Sequence, residues 1–208
     1  MNKVRAICIF LIASLFISNI YSQVSNSRVR VSSTPHGDNS LIPRPSDNSE
    51  IIKYTLKIEQ DSALYSLNVD ILEKGLTIED EFNTIISNAK VFKGNELFFE
   101  MIPDIISKPN TMALYIYNPA GSISCRYLFC NDNQQIKYRK IEIVNQSKYG
   151  LTPLLLGYVD DKQGKNEKLI DKYSKNNLLT ITSYVELQEK IIKNIEKCLL
   201  VYHNLSDK

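Results

Sequence analysis

Two histidines, four cysteines and a plentiful supply of carboxylates are the residues of this chain that could do chemistry. His36 stands in His36-Gly37-Asp38, where a histidine beside an aspartate suggests a metal or acid–base pair. It lies in a stretch rich in Ser, Asn, Pro and Arg that offers nothing to hold such a geometry. His203 is close to the C-terminus, so a histidine-based triad would have to recruit one of these two peripheral residues. Glu79, Asp80 and Glu81 are three acids in a row, readable as a metal site or, better, as charges in the first turn of a helix. Lys137, Arg139 and Lys140 would stand together if their strand bulges, forming either an anion site or a solvated edge that discourages strand pairing. No Gly-x-Ser-x-Gly, phosphate-cradling glycine loop, paired-cysteine metal knuckle or His-Glu-x-x-His occurs. No spacing singles out a carboxylate pair. The sequence therefore nominates no catalytic, cofactor-binding or metal-binding residue.

Cys8 belongs to an apolar N-terminal run, which leaves Cys125, Cys130 and Cys198 as the cysteines that could take part in a disulfide. Three thiols allow at most one intramolecular bridge. On a straight strand Cys125 and Cys130 face opposite ways about 16 Å apart, too far to bond unless the strand ends and turns back before Cys130. Cys198 could pair with either. The alternative is three small buried hydrophobes.

The first 22 residues read as a secretory signal peptide: Lys3 and Arg5, the apolar run Ala6 to Ile17, then a polar end with the cut after Ser22, or after Ser18. The run is short for a membrane span, and Cys8 has no lipoprotein cleavage context. An exported chain (periplasm, cell surface or extracellular) with no integral membrane span after cleavage is expected. Loss of Lys3 and Arg5 leaves cations and anions equal in number. A neutral chain argues against a counterion-releasing nucleic-acid binder and against a polybasic membrane patch.

The elements that must position any site follow from pattern. Residues 23–50 read as a flexible leader, and 51–208 as one α+β domain: an antiparallel sheet built of meanders and hairpins with two helices on one face. Met112–Phe129 is the clearest unit, two β-prone runs around Asn118-Pro119-Ala120-Gly121. Met112, Leu114 and Ile116 share one face of it; Ala113, Tyr115 and Tyr117 share the other. Gln134 to Val144 is expected as a third strand of that meander. Thr77 to Lys90 is expected as a helix, with Thr77 and Asp80 as a capping box and Ile78, Phe82, Ile85, Ile86 and Ala89 on one face. A long terminal helix is expected from Ser183, capped by Ser183 and Glu186, with Leu187, Ile191, Ile195, Cys198 and Tyr202 as its buried stripe.

Ile52-Lys-Tyr-Thr-Leu-Lys opening on a strand, Ile86-Ser-Asn-Ala ending a helix, and Phe92-Lys-Gly-Asn-Glu-Leu-Phe-Phe-Glu following resemble the N-terminal part of the GLPGLI family of secreted bacterial envelope proteins. The resemblance covers about fifty residues, and the family's own Gly-Leu-Pro-Gly-Leu-Ile signature is absent. It implies an exported protein and carries over no catalytic residues. The combined expectation is a non-catalytic binding or interaction module, its partner an envelope protein or a small apolar ligand, with Tyr115 and Tyr117 as a candidate interaction surface. The rival is a small secreted hydrolase working through a carboxylate pair.

Overall fold

The computed structural model describes residues 28–34 as backbone, and 50–78, 84–106, 110–117, 122–144 and 150–207 in full. Two antiparallel sheets face each other across a shared apolar interior. The first contains β1 (Arg28–Thr34), β2 (Ile51–Lys57), β6 (Glu96–Ile106), β7 (Thr111–Tyr117) and β8 (Ile123–Phe129), in that spatial order. The second runs β11 (Ser174–Lys175), β12 (Leu178–Ile181), β9 (Gln134–Ile143), β10 (Gly150–Asp161), β13 (Lys197–Ser206), β3 (Ser62–Glu73) and β4 (Leu76–Thr77). Strand β5 (Thr84–Phe92) pairs with β3 on the same side as β4. All pairs are antiparallel except β12 with β9. The expected antiparallel sheet is thus present, doubled, and the helices are few and small: α1 (Lys165–Asp171) and α2 (Tyr184–Lys190). Within the expected leader, β1 pairs along the full length of β2. The expected signal peptide lies outside the described residues.

The interior follows from alternation. Ile52, Tyr54 and Leu56 on β2, Phe99 and Met101 on β6, and Met112, Leu114 and Ile116 on β7 meet Tyr65, Leu67 and Val69 on β3, and Leu199, Val201 and Leu205 on β13. The β7–β8 hairpin forms as expected, with Tyr117 opposite Ile123 and Thr111 opposite Phe129; its turn, 118–121, lies outside the described residues. Pro103 sits inside β6, beyond Met101, the last residue there that pairs with β2, so its missing N–H costs no ladder bond on that side.

The outer face of the second sheet carries a second core. Ile141, Ile143, Leu156, Tyr158, Cys198 and Leu200 meet Ile170 of α1, Leu187 of α2, and Ile191, Ile192 and Ile195 beyond it. This two-sided burial corrects three expectations. β9 does not extend the β7–β8 meander; it crosses to the second sheet and lies between β12 and β10. It also needs no bulge near Arg139, because its register with β10 is continuous. Ile136 faces the interior while Ile141 and Ile143 face the outer core. The terminal helix stops at Lys190, passes through a 3-10 turn at Ile192–Asn194, and gives way to β13. A strand covered on both faces reads as an unbroken apolar run, Cys198-Leu-Leu-Val-Tyr, and its period of two is hidden.

The start of α2 is as expected. Ser183 Oγ accepts from Glu186 N at 3.2 Å. Glu186 reaches back to Thr182, accepting from its N–H at 2.7 Å and its hydroxyl at 2.6 Å, and takes Lys190 Nζ at 2.7 Å. The Lys190 bond and those from Thr182 hold the Glu186 carboxyl at about 2. The expected helix 77–90 is instead β4 and β5 in its described part, with residues 79–83 and their three acids outside it. Its pairing with β3 shifts register twice, between Tyr65 and Leu67 and between Leu67 and Asn68, and Asn88 has φ 48°. Bulges move the buried positions from Ile85 and Ile86 to Ala89 and Val91, a spacing that imitates a helix.

A candidate site at one end of the sandwich

The tyrosines and cysteines singled out by sequence fall into three places, with only Tyr115, Tyr117 and Cys125 on one face. Tyr115 and Tyr117 lie half-buried on the outer face of the first sheet, against Ile51 and Ile102. Beside them on β8 stand Ile123, Tyr127 and Phe129, all exposed, with the Tyr127 and Phe129 rings 6.0 Å apart. Cys125 is opposite Tyr115 on that face, Cys130 packs against the interior core, and Cys198 belongs to the outer core. All three are free thiols. They occupy three different layers, and a disulfide between any two would have to cross a sheet. Burial pushes the Cys198 thiol up to about 12.

A concavity of about 640 Å³ opens where the two sheets part. One wall is the β3–β4 hairpin. Lys74 and Gly75 have φ 50° and 79°, the pair of positive values that closes a two-residue hairpin with the right twist. A Cβ on Gly75 would meet Lys193 Cα at 3.3 Å, so this turn is pressed against the 3-10 turn and favours glycine at its second position. Lys74 N donates to Glu196 O at 2.9 Å, and Lys197 pairs with Glu73 across the ladder at 3.4 Å. The opposite wall is the end of β8 and the Asn131–Gln134 turn, held by Gln134 N to Asn131 O at 2.9 Å and Asn131 N to Gln134 Oε1 at 3.1 Å. Between them Val159 forms part of the lining, and Leu76, Ile78 and Phe129 point apolar side chains outward. Leu76 is 75% exposed and Phe129 55%.

Among the described residues that line this cleft none is an activated nucleophile. Cys130 lines it, but burial and the Asp132 charge raise its pKa and keep it a neutral thiol. His203 is not among its lining residues. The expectation of a peripheral His203 is also corrected: it is near the end of the sequence but 2% exposed, facing the interior. His36 lies outside the described residues.

Carboxylates do converge elsewhere, at the start of α1. Asp160 is fully buried and pairs with Lys137 at 3.2 Å. Its other oxygen accepts from Asn166 N at 3.0 Å and Glu167 N at 3.3 Å. Glu167 bonds Lys137 at 2.5 Å and Arg139 at 3.4 Å, and Arg139 reaches Asp171 at 3.1 Å and lies over the Tyr158 ring. The hydrogen bond from Lys137 leads in holding Glu167 below the usual carboxylate range, the opposite of what a general acid needs. Lys137, Arg139 and Lys140 do line one cleft of about 350 Å³ with Glu50, Asn176 and Asn177. Each of the three is bonded to an acid, Lys140 to Glu50 at 3.0 Å, so they offer no surplus of positive charge. The arrangement ties α1 to the sheet. Sequence reading missed it because its members are spread from Lys137 to Asp171 and meet only through the β9–β10 register. Asp160-Asp161 was the one local signal, and it reads equally well as the start of a polar loop.

Among the described residues no group of three or more His, Cys, Asp or Glu could hold a metal ion, and no helix is long and apolar enough to cross a membrane. The chain matches no protein family, no curated protein and no solved structure.

Proposed function

We propose that this is an exported, non-catalytic binding module whose ligand, a small apolar molecule or an apolar segment of an envelope protein, sits in the cleft between Lys74–Ile78 and Phe129–Gln134. The observation that carries the reading is the cleft itself. It has the size of a ligand site, and exposed Leu76 and Phe129 stand on its two walls with polar groups around them. The charges lining it are balanced, Glu73 and Glu196 against Lys74 and Lys197, which suits an uncharged or apolar occupant. Export rests on the N-terminal apolar run and on the resemblance of the β2 and β5–β6 stretches to the GLPGLI proteins.

The test uses the chain without residues 1–22 and N-phenyl-1-naphthylamine, an uncharged fluorescent probe. Saturable one-to-one binding is expected. Leu76→Ser and Phe129→Ser should each weaken it about tenfold, since removing one buried large apolar contact costs about 1.5–3 kcal/mol. Both side chains are exposed, so the fold tolerates the changes. Binding that is non-saturable, or indifferent to both substitutions, refutes the cleft.

A further inference from the structure

His203 lies inside the sandwich, stacked on Tyr65 with ring centroids 5.9 Å apart. Neither of its ring nitrogens has a hydrogen-bond partner, nor has the Tyr65 hydroxyl. A neutral imidazole tolerates such a place; an imidazolium, with two donors and a charge, does not. The backbone around it is already interrupted. His203 is opposite Thr152 on β10, just before the register shift between Pro153 and Leu155. On its other side it is opposite Leu67, where β5 loses register with β3 twice. Pro153 has no N–H to give. The ladder between β13 and β3 runs unbroken from Lys197–Glu73 to Ser206–Leu64, so the weak points are the β3–β5 pairing and the Gly150–Pro153 end of β10 cut off by the bulge, where local opening is easiest.

We propose that His203 is an acid-operated latch: a proton taken up on its ring opens this end of the sandwich, at the two bulges, while the rest of both sheets stays folded. The ring that stacks on it and the other groups of the same interior do not compete. Tyr65 on β3 and Tyr54 on β2, whose hydroxyl donates to Leu154 O at 2.6 Å, both have pKa values raised by burial and stay neutral through the acid range. Thr152 on β10 and Ile86 on β5 do not titrate. Of the interior-facing charges elsewhere, Glu50 and Lys140 pair at 3.0 Å, and Arg126 on β8 stays a cation throughout the acid range.

The sign follows from burial, which lowers the His203 pKa in the closed form to about 3, whereas a solvated histidine titrates near 6.5. The closed form keeps its full stability above pH 6.5. Below that the open form binds the proton and the closed form does not, so the open-to-closed ratio rises about tenfold per pH unit down to about 3.

Native-state hydrogen exchange at pH 7, 6 and 5, corrected for the intrinsic rate, tests this on the mature chain. Amides of 84–89 and 150–155, the two segments bounded by the bulges, should gain exchange about tenfold per unit below pH 6.5, while β6, β7, the 156–161 half of β10 and the β3–β13 ladder do not follow. His203→Phe should abolish the response. Should that variant not fold, His203→Gln gives the same readout. An acid response spread evenly over both sheets overturns the latch, as does the same local response in either variant. Direct NMR titration of His203 decides independently: a midpoint near 6.5 in the folded chain also overturns it.

Discussion

Gly157 is the point where the spacing between the two sheets can be tested most directly. It faces the interior from β10, and a Cβ placed on it would sit well inside contact distance of Met112 Cε, with Met112 Sδ at 3.4 Å and Leu128 Cδ2 at 3.7 Å. Normal carbon contacts are about 3.5–4.0 Å, so the Met112 methyl would have to retreat by about 1 Å or more. Met112 is fully buried, and a close-packed interior has little room for that. Overpacking by one methyl costs about 1–3 kcal/mol. Replacing a strand glycine returns roughly 0.5–1 kcal/mol. Gly157→Ala should therefore lose a net of about 1–2 kcal/mol in urea unfolding followed by circular dichroism. Met112→Leu removes the offending methyl and keeps the bulk, at a cost under about 1.5 kcal/mol. The double variant should then be more stable than the sum of the two losses by about 1 kcal/mol or more. Additivity within about 0.5 kcal/mol would refute the contact as the element that sets the sheet separation.

Two further expectations follow from bonds already described. Lys137→Met leaves the buried Asp160 carboxylate with only the Asn166 and Glu167 N–H donors, and should cost about 3 kcal/mol in the same unfolding measurement; a loss below 1 kcal/mol, on the order of a surface ion pair, would show that water reaches Asp160. Ser183→Ala removes the cap of α2 and should cost about 1 kcal/mol, with Ser183→Gly milder; equal effects of the two would assign the loss to the backbone instead.

The parts of the fold that were legible in the sequence are those covered on one face. β2 alternates cleanly, with Ile52, Tyr54 and Leu56 buried and Lys57 exposed, and the β7–β8 hairpin shows its register through Met112, Leu114 and Ile116. What could not be read was the second sheet. β10 and β13 are buried on both faces, and Leu154-Leu-Leu hides the bulge that turns both Leu154 and Leu155 inward. The bulges of β5 replaced a period of two with spacings that fit a helix. The candidate cleft was illegible for a different reason. Leu76, Phe129 and Val159 meet only because two strands of one sheet and one of the other end at the same place, and no local pattern encodes that meeting. The cap at Ser183, by contrast, depends on a few consecutive residues: the Ser183 to Glu186 bond was read, while Glu186 closes on Thr182 and not on Ser183 as the expected box has it.

Arg126 has a consequence beyond its own strand. β8 closes the first sheet with a row of backbone groups that a foreign strand could use. The residues alternating with Ile123, Tyr127 and Phe129 would make it a good template, except that Arg126, opposite Leu114, turns its charge toward the interior side and donates to the Cys125 carbonyl at 2.9 Å. Any copy of the chain laid along β8 would cover that guanidinium further, which disfavours the pairing. An inward-pointing charge is one of the devices by which an edge strand discourages pairing with another chain, and on β8 it stands next to the exposed Tyr127 and on the same side of the strand as the buried Leu128.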